Sequence, residues 1–173
     1  GPRLLKTEEY SSLKTASAQI SSALWEEFQL TFPADAVFRH LTFLYLCYKR
    51  DLKRHTSLLR RISPRVIVEV VGYTKANMAL NEAARKLGIP VIELQHGVIG
   101  KGHFAYNFGG QKKLPYFPDM ICLWGDYWRE TTAFPLPGER LISCGYPYLE
   151  QMRSKWQTQK QEVTAKLTLF QTV

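Results

Sequence analysis

The chain has 173 residues, of which 45% are hydrophobic, and a formal net charge of +8 at pH 7. This length and composition predict one globular domain with a substantial core and exclude a low-complexity chain. Its three cysteines are widely spaced, which predicts no disulfide framework and favours the cytoplasm. No stretch approaches the roughly 20 apolar residues of a membrane span, and we expect no secretory leader. The positive charge favours anionic partners, such as phosphates, nucleic acids, acidic glycans or a membrane surface.

The first third of the chain predicts two helices. Apolar residues recur at helical spacing over 8 to 30, and Pro33 suits the first turn of a longer helix that runs to Ile62. From residue 49 onward the second predicted helix also carries six Lys and Arg residues: Lys49, Arg50, Lys53, Arg54, Arg60 and Arg61. A solvated face on a core-packed helix is the simpler interpretation of these charges, and contact with an anionic membrane or polymer is the alternative.

Residues 64 to 97 predict a strand, a helix and a second strand. The β-branched run VIVEVV at 66 to 71 predicts a buried strand, and apolar residues follow at helical spacing over 74 to 87. Gly88 ends that helix, and PVIEL at 90 to 94 predicts the second strand. Because this succession forms a right-handed crossover between parallel strands, we predict an α/β fold with a Rossmann-like parallel sheet flanked by helices.

Two more predicted strands follow a long loop. Residues 98 to 118 hold four glycines and several aromatic residues without periodicity, as functional loops do. The runs DMICLW at 119 to 124 and RLISC at 140 to 144 predict strands. We therefore divide the chain into a helical N-terminal segment packing on the sheet, a Rossmann-like core, and a polar linker helix followed by the start of a truncated second domain: 1–63, 64–152 and 153–173.

The stretch VIELQHGVIGKGHFAY at 91 to 106 contains the candidate functional site. His96 follows the second predicted strand, and ligands bind at the carboxyl ends of the strands in open parallel sheets. An imidazole can take up a proton at neutral pH, and a histidine held by hydrogen bonds within a turn is the alternative. A glycine also follows each predicted strand, which lets a ligand approach the backbone: Gly72, Gly97, Gly125 and Gly145.

Three side chains of the loop, Lys101, His103 and Tyr106, are candidates to line a substrate groove, although aromatic packing within a surface loop explains them equally well. Tyr146 faces the same cleft if the fourth strand ends near Gly145. The sequence contains neither a dinucleotide-binding fingerprint nor a P-loop, and no cluster with metal-ligand spacing. We therefore predict no metal and no bound cofactor.

Several of these motifs together resemble a known family. The motifs are the segment from Ala76 to Gly97, the loop with His103 and Tyr106, and the runs PDMICLWGDYW and RLISCGYPYLE. Together they resemble the N-terminal half of bacterial glycosyltransferases of the GT-B fold. The resemblance is to those of capsule and surface-polysaccharide synthesis, which are related in layout to the teichoic-acid glycerophosphotransferases. It covers roughly residues 64 to 152.

The resemblance implies one half of a GT-B fold, the half that holds a glycan or lipid-linked acceptor. The nucleotide-sugar donor would bind mainly to a second domain starting near residue 173, so we expect no turnover by this chain alone. His96 matches the histidine of the family's HG motif and is the expected catalytic base. The expected substrate-binding residues are Gly72, Tyr73, Gly97, Lys101, His103, Tyr106, Gly125 and Tyr146.

Two other functions fit the same residues. A nucleotide-sugar epimerase of related architecture would also use histidine and glycine at strand ends. A non-catalytic Rossmann-like binding module would use its basic surface instead. We expect no nucleic-acid partner, because the basic residues share their helix with a core-facing stripe and no recognised binding motif accompanies them. The expected location is the cytoplasm, with peripheral contact at the inner face of the membrane as an option.

Overall fold

A computed structural model describes residues 4–108, 110–112, 114–153 and 155–156 of the chain. The fold is α/β, with a four-stranded parallel sheet in the order β1-β2-β3-β4. The strands are β1 (Ile67–Glu69), β2 (Val91–Leu94), β3 (Met120–Leu123) and β4 (Leu141–Ser143). The predicted Rossmann-like parallel sheet flanked by helices is therefore confirmed, with each strand shorter than its apolar run.

Among the described residues, four α-helices precede β4: α1 (Thr7–Phe28), α2 (Ala34–Ile62), α3 (Lys75–Lys86) and α4 (Asp126–Thr131). Pro33 lies immediately before α2 with a φ of −58°, close to the value that its ring imposes. Ser63 ends α2 in a left-handed conformation with a φ of 49°, directly before Pro64. The ring of Pro64 disfavours helical backbone angles at the residue before it, which explains why α2 does not continue through Ser63.

The helices form a layered stack against one face of the sheet. The α1 helix packs on α2, and α2 packs on α3. Leu59 of α2 reaches Val91 of β2 through a cluster that includes Ala83 and Ala84 of α3. The N-terminal helical segment thus contacts the sheet mainly through α3, and only the C-terminal part of α2 approaches a strand.

Side-chain alternation separates a covered face of the sheet from a more open one. Val91, Ile121 and Leu141 point to the covered face and are nearly inaccessible to solvent. Val91 packs against α2 and α3, whereas the other two pack in a cluster with side chains of the loop after β2. The alternate residues of the strands point to the other face, where Val68 of β1 is 57% exposed and Ile142 of β4 is 41% exposed. The packed core of the described residues therefore lies on one side of the sheet.

The remainder of the chain follows β4. Residues 147–153 and 155–156 are helical, whereas nearly all of the predicted linker helix and further strand at 153–173 falls outside the described residues. Among the helices that the structure describes, none has both the length and the apolar character needed to span a bilayer.

Candidate functional site

Four aromatic side chains meet at the carboxyl ends of β1 and β2. Tyr73 follows β1, His96 follows β2, and the loop after β2 supplies His103 and Tyr106. The Tyr73 ring lies 5.9 Å from His96, 5.4 Å from His103 and 5.5 Å from Tyr106, measured between ring centroids. His103 and Tyr106 are 4.8 Å apart. Because parallel strands end at the same edge of the sheet, residues far apart in sequence form one cluster around Tyr73.

Tyr73 holds the exposed imidazole of His96. Its hydroxyl oxygen is 3.3 Å from Nε2 of His96, within hydrogen-bonding distance. The Tyr73 backbone is fixed on its C-terminal side by Thr74, the N-cap of α3, whose hydroxyl accepts a hydrogen bond from the amide of Asn77 at 3.1 Å. Such a cap stabilises the first turn of a helix. The start of α3 therefore positions the phenol that contacts His96.

Gln95 stabilises the turn that carries His96, and sequence patterns did not predict this role. Its side-chain Nε2 donates to the carbonyl of Gly97 at 2.9 Å, and its Oε1 accepts from the amide of Trp124 at 2.8 Å. Gln95 is 6% exposed, so both hydrogen bonds are largely shielded from water. The peptide that bears His96 is thereby tied to the end of the neighbouring strand β3.

Glu93 lies beneath the aromatic cluster and is 1% exposed. One carboxyl oxygen accepts hydrogen bonds from the Tyr106 hydroxyl at 2.6 Å and from the Gly72 amide at 3.2 Å. Burial raises the pKa of Glu93, against the lowering effect of these hydrogen bonds and of the charges on His96 and His103. Glu93 therefore joins the loop after β1 to the loop after β2.

Glu69 is the register partner of Glu93 on β1 and points to the same face of the sheet. One of its carboxyl oxygens accepts from Nδ2 of Asn81 at 2.8 Å. Burial raises the pKa of Glu69 to about 7, and the charge of Glu93 adds to the shift while the Asn81 hydrogen bond opposes it. Asn81 is itself 1% exposed, so this pair belongs to the interior.

The two carboxyl groups converge on Gly72. A Cβ atom at this glycine would lie 2.7 Å from an oxygen of Glu69 and 2.7 Å from an oxygen of Glu93, so those oxygens are no farther apart than twice that distance. The Glu93 oxygen that faces Gly72 is buried and has no hydrogen-bond partner among the described residues, and the same holds for the other oxygen of Glu69. Two buried carboxyl groups this close favour a state in which at least one of them is protonated.

The remaining predicted site residues lie around this cluster. Tyr146 stacks on Trp124 with ring centroids 4.1 Å apart, and Gly125 is the N-cap of α4. Tyr146, Trp124 and Gly125 form a second group at the ends of β3 and β4. The hydrogen bond between the Trp124 amide and Gln95 links this group to the turn that carries His96. Lys101 is exposed on the turn before His103. Tyr106, which was predicted to line a groove, is 1% exposed and supports the cluster from below.

The arrangement presents an exposed, oriented imidazole above buried acids, which suits proton transfer to or from a bound hydroxyl. Within the part of the chain that the structure describes, no three His, Cys, Asp or Glu side chains are placed to hold a metal ion. No protein-family model matches the chain, and neither the curated proteins nor the solved structures that were compared with it gave a match.

Proposed function

We propose that this chain is the acceptor-side half of a GT-B glycosyltransferase of bacterial surface-polysaccharide synthesis, with His96 as the general base. The observation that carries the proposal is the exposed His96 at the carboxyl end of β2, in contact with Tyr73, whose ring also lies 5.4 Å from that of His103. Parallel α/β sheets bind their ligands at this end. The sequence resemblance over residues 64 to 152 supplies the class of reaction.

In the proposed reaction a hydroxyl oxygen of the acceptor attacks the anomeric carbon of a nucleotide-activated sugar. A new carbon–oxygen bond forms as the bond to the leaving phosphate breaks, and the nucleotide departs with the electron pair. Nε2 of His96 takes the hydroxyl proton. The Tyr73 hydroxyl, 3.3 Å from that nitrogen, holds the imidazole until the acceptor hydroxyl takes its place.

The surrounding residues receive supporting roles in the same proposal. Gly97, Lys101 and His103 would contact the acceptor, while Gly125 and Tyr146 would form the far edge of its groove. Gln95 and Glu93 are positioning residues, because Gln95 hydrogen-bonds the backbone of Gly97 next to His96 and Glu93 accepts from the Tyr106 hydroxyl. The donor nucleotide would bind mainly to a second domain, and the acceptor would be a glycan or lipid-linked glycan at the cytoplasmic side of the membrane.

Acceptor binding by the chain alone tests the proposal. Short oligosaccharides of capsular and teichoic-acid type are titrated into the protein, and the imidazole resonances are followed by nuclear magnetic resonance. We expect the His96 and His103 signals to shift and the signal of His40, an exposed histidine on α2, to stay in place. Binding without any shift of His96, or no binding of any oligosaccharide, would contradict the assignment.

A turnover assay then separates the transferase from its alternatives. We expect no sugar transfer by this chain above a His96→Ala control, and restored transfer when a donor-binding domain is supplied. Conversion of a nucleotide sugar to its epimer without any acceptor would instead support the epimerase. His40→Ala is the matched control, since it removes an exposed imidazole far from the cluster.

A further inference from the structure

A basic groove runs between α2 and α3, away from the aromatic cluster. It has a volume of about 530 Å³, and the side chains that line it are Lys49, Leu52, Lys53, Thr56, Ser57, Arg60 and Lys86. Six of these lie on one stripe of α2, because they are spaced by one, three or four residues, and Lys86 faces them from α3. Three of the six basic residues named on α2 thus line one concave surface together with Lys86.

Two of the four cations in the groove lack an acidic partner. Lys49 forms a salt bridge with Glu9, and Lys86 forms one with Glu82. Within the described ranges, Lys53 and Arg60 form no salt bridge with any carboxylate. Both are exposed, so their charges are available to a ligand. Exposed like charges on one groove attract an anion of matching size.

The groove continues into an apolar neighbour. Arg60 also lines an adjoining groove of about 280 Å³, whose other walls include Leu59, Pro64, Leu87 and Ile89. A cationic region beside an apolar region suits a molecule with an anionic head and an apolar body.

The position of the groove separates it from the candidate active site. Lys86 is the last residue of α3, whereas Tyr73 and the aromatic cluster lie at the start of that helix. A helix of 12 residues is about 18 Å long, which places the groove at the opposite end of the sheet. A ligand in the groove therefore does not occupy the space around His96.

We propose that the basic groove binds a phosphate-bearing ligand, with Lys53 and Arg60 contacting the phosphate oxygens and the Ser57 hydroxyl available to donate to them. The adjoining apolar groove favours the headgroup of an anionic phospholipid as the source of that phosphate. This inference is independent of the proposed transferase activity, since it uses none of the residues of the aromatic cluster.

Binding of two probes to the whole chain tests the groove and its source of phosphate. The first probe is inorganic tripolyphosphate, measured by calorimetry, and the second is a phosphatidylcholine vesicle with or without phosphatidylglycerol, measured by co-sedimentation. The groove variant carries Lys53→Gln and Arg60→Gln. The matched control carries Arg54→Gln and Arg61→Gln, which remove two charges at the same spacing from the same helix but outside the groove lining.

We expect binding to phosphatidylglycerol vesicles to weaken about tenfold or more in the groove variant, because two charge-assisted contacts are lost, and less than about twofold in the control. Binding of tripolyphosphate alone, with the same selectivity for the groove variant, would retain the phosphate site and overturn the lipid source. Equal losses in both double variants, or no binding of either probe at physiological ionic strength, would overturn the site itself.

Discussion

The two ends of α3 hold charged groups in opposite surroundings. At its start, Glu69 and Glu93 lie in the interior, and their carboxyl oxygens accept hydrogen bonds from Asn81, Tyr106 and the backbone. At its end, three of the four cations of the basic groove are exposed: Lys53, Arg60 and Lys86. Removing a buried, hydrogen-bonded polar group costs more stability than removing an exposed charge. The comparison predicts that changes near the start of α3 alter stability, whereas changes in the groove alter ligand binding.

The largest expected loss of stability follows from Gly72→Ala. The new methyl carbon would lie 2.7 Å from carboxyl oxygens of both Glu69 and Glu93, so buried groups on two strands must move. We expect the free energy of unfolding to fall by about 3 kcal/mol, measured by urea denaturation. Gly102→Ala is the control, since a Cβ there meets no atom within 4 Å. Equal losses in the two variants would show that the carboxyl pair does not confine this position.

Glu69 should make stability depend on pH. Its pKa is about 7 in the folded chain, against an ordinary value of 4.5 in the unfolded chain. Between these values the folded chain keeps a proton that the unfolded chain releases, so the free energy of unfolding falls as the pH rises from 4.5 through 7. The total fall in the free energy of unfolding is about 3 kcal/mol, and the fall is complete only at a pH above the folded-state pKa of Glu69.

Glu69→Gln removes this titration and should weaken the pH dependence of stability, with part of the dependence left to Glu93, whose pKa burial also raises. Urea denaturation at about pH 5 and about pH 8 gives the free energy of unfolding of the wild-type chain and of the Glu69→Gln variant. Glu26→Gln, which alters an exposed glutamate of α1, should keep the wild-type profile. A wild-type chain that is equally stable at both pH values would contradict the burial of the Glu69 carboxyl group.

A pair of tyrosine variants compares a buried hydroxyl with an exposed one. Tyr106→Phe deletes the donor to buried Glu93 and should cost about 1 to 2 kcal/mol of unfolding free energy. Tyr73→Phe deletes an exposed contact with His96 and should cost less than about 0.5 kcal/mol. Thermal unfolding of both variants gives the comparison, and a larger loss for Tyr73→Phe would reverse the assigned roles.

The smallest effect on stability is expected in the basic groove. The double variant with Lys53→Gln and Arg60→Gln removes exposed charges that form no salt bridge with the described residues, so its unfolding free energy should change by less than about 0.5 kcal/mol. Urea denaturation beside the binding assays would detect a larger loss. Such a loss would mean that the groove cations serve the packing of α2 on α3.

Sequence patterns located the four strands and the βαβ unit, because apolar runs and helical spacing mark them. They named Tyr73, His96 and His103 as candidate site residues without indicating that the three rings lie together. They did not identify the convergence of the two glutamates on Gly72. Alternation along a strand tells which face a side chain points to, but not which groups cover that face. Both glutamates lie within the predicted strands, but glutamate is rarely buried, so residue type alone did not predict an interior carboxyl pair.

The loop of residues 98 to 118 shows a second limit. It has no periodicity, so its aromatic residues gave no sign of which would face the core and which the solvent. Tyr106 is 1% exposed, whereas Phe104, only two residues earlier, is 86% exposed. The hydrogen bond from Tyr106 to Glu93 explains the difference, and it joins residues whose proximity depends on the folded loop.

The crowding at Gly72 has a consequence for how this sequence can diverge. The space beside its Cα atom is occupied by oxygens from two different strands, so the residues at 69, 72 and 93 cannot vary independently. A side chain at position 72 becomes tolerable only when the carboxyl groups withdraw, as shortening glutamate to aspartate would allow. Substitutions at these three positions should therefore be strongly non-additive, and natural variants should change them together.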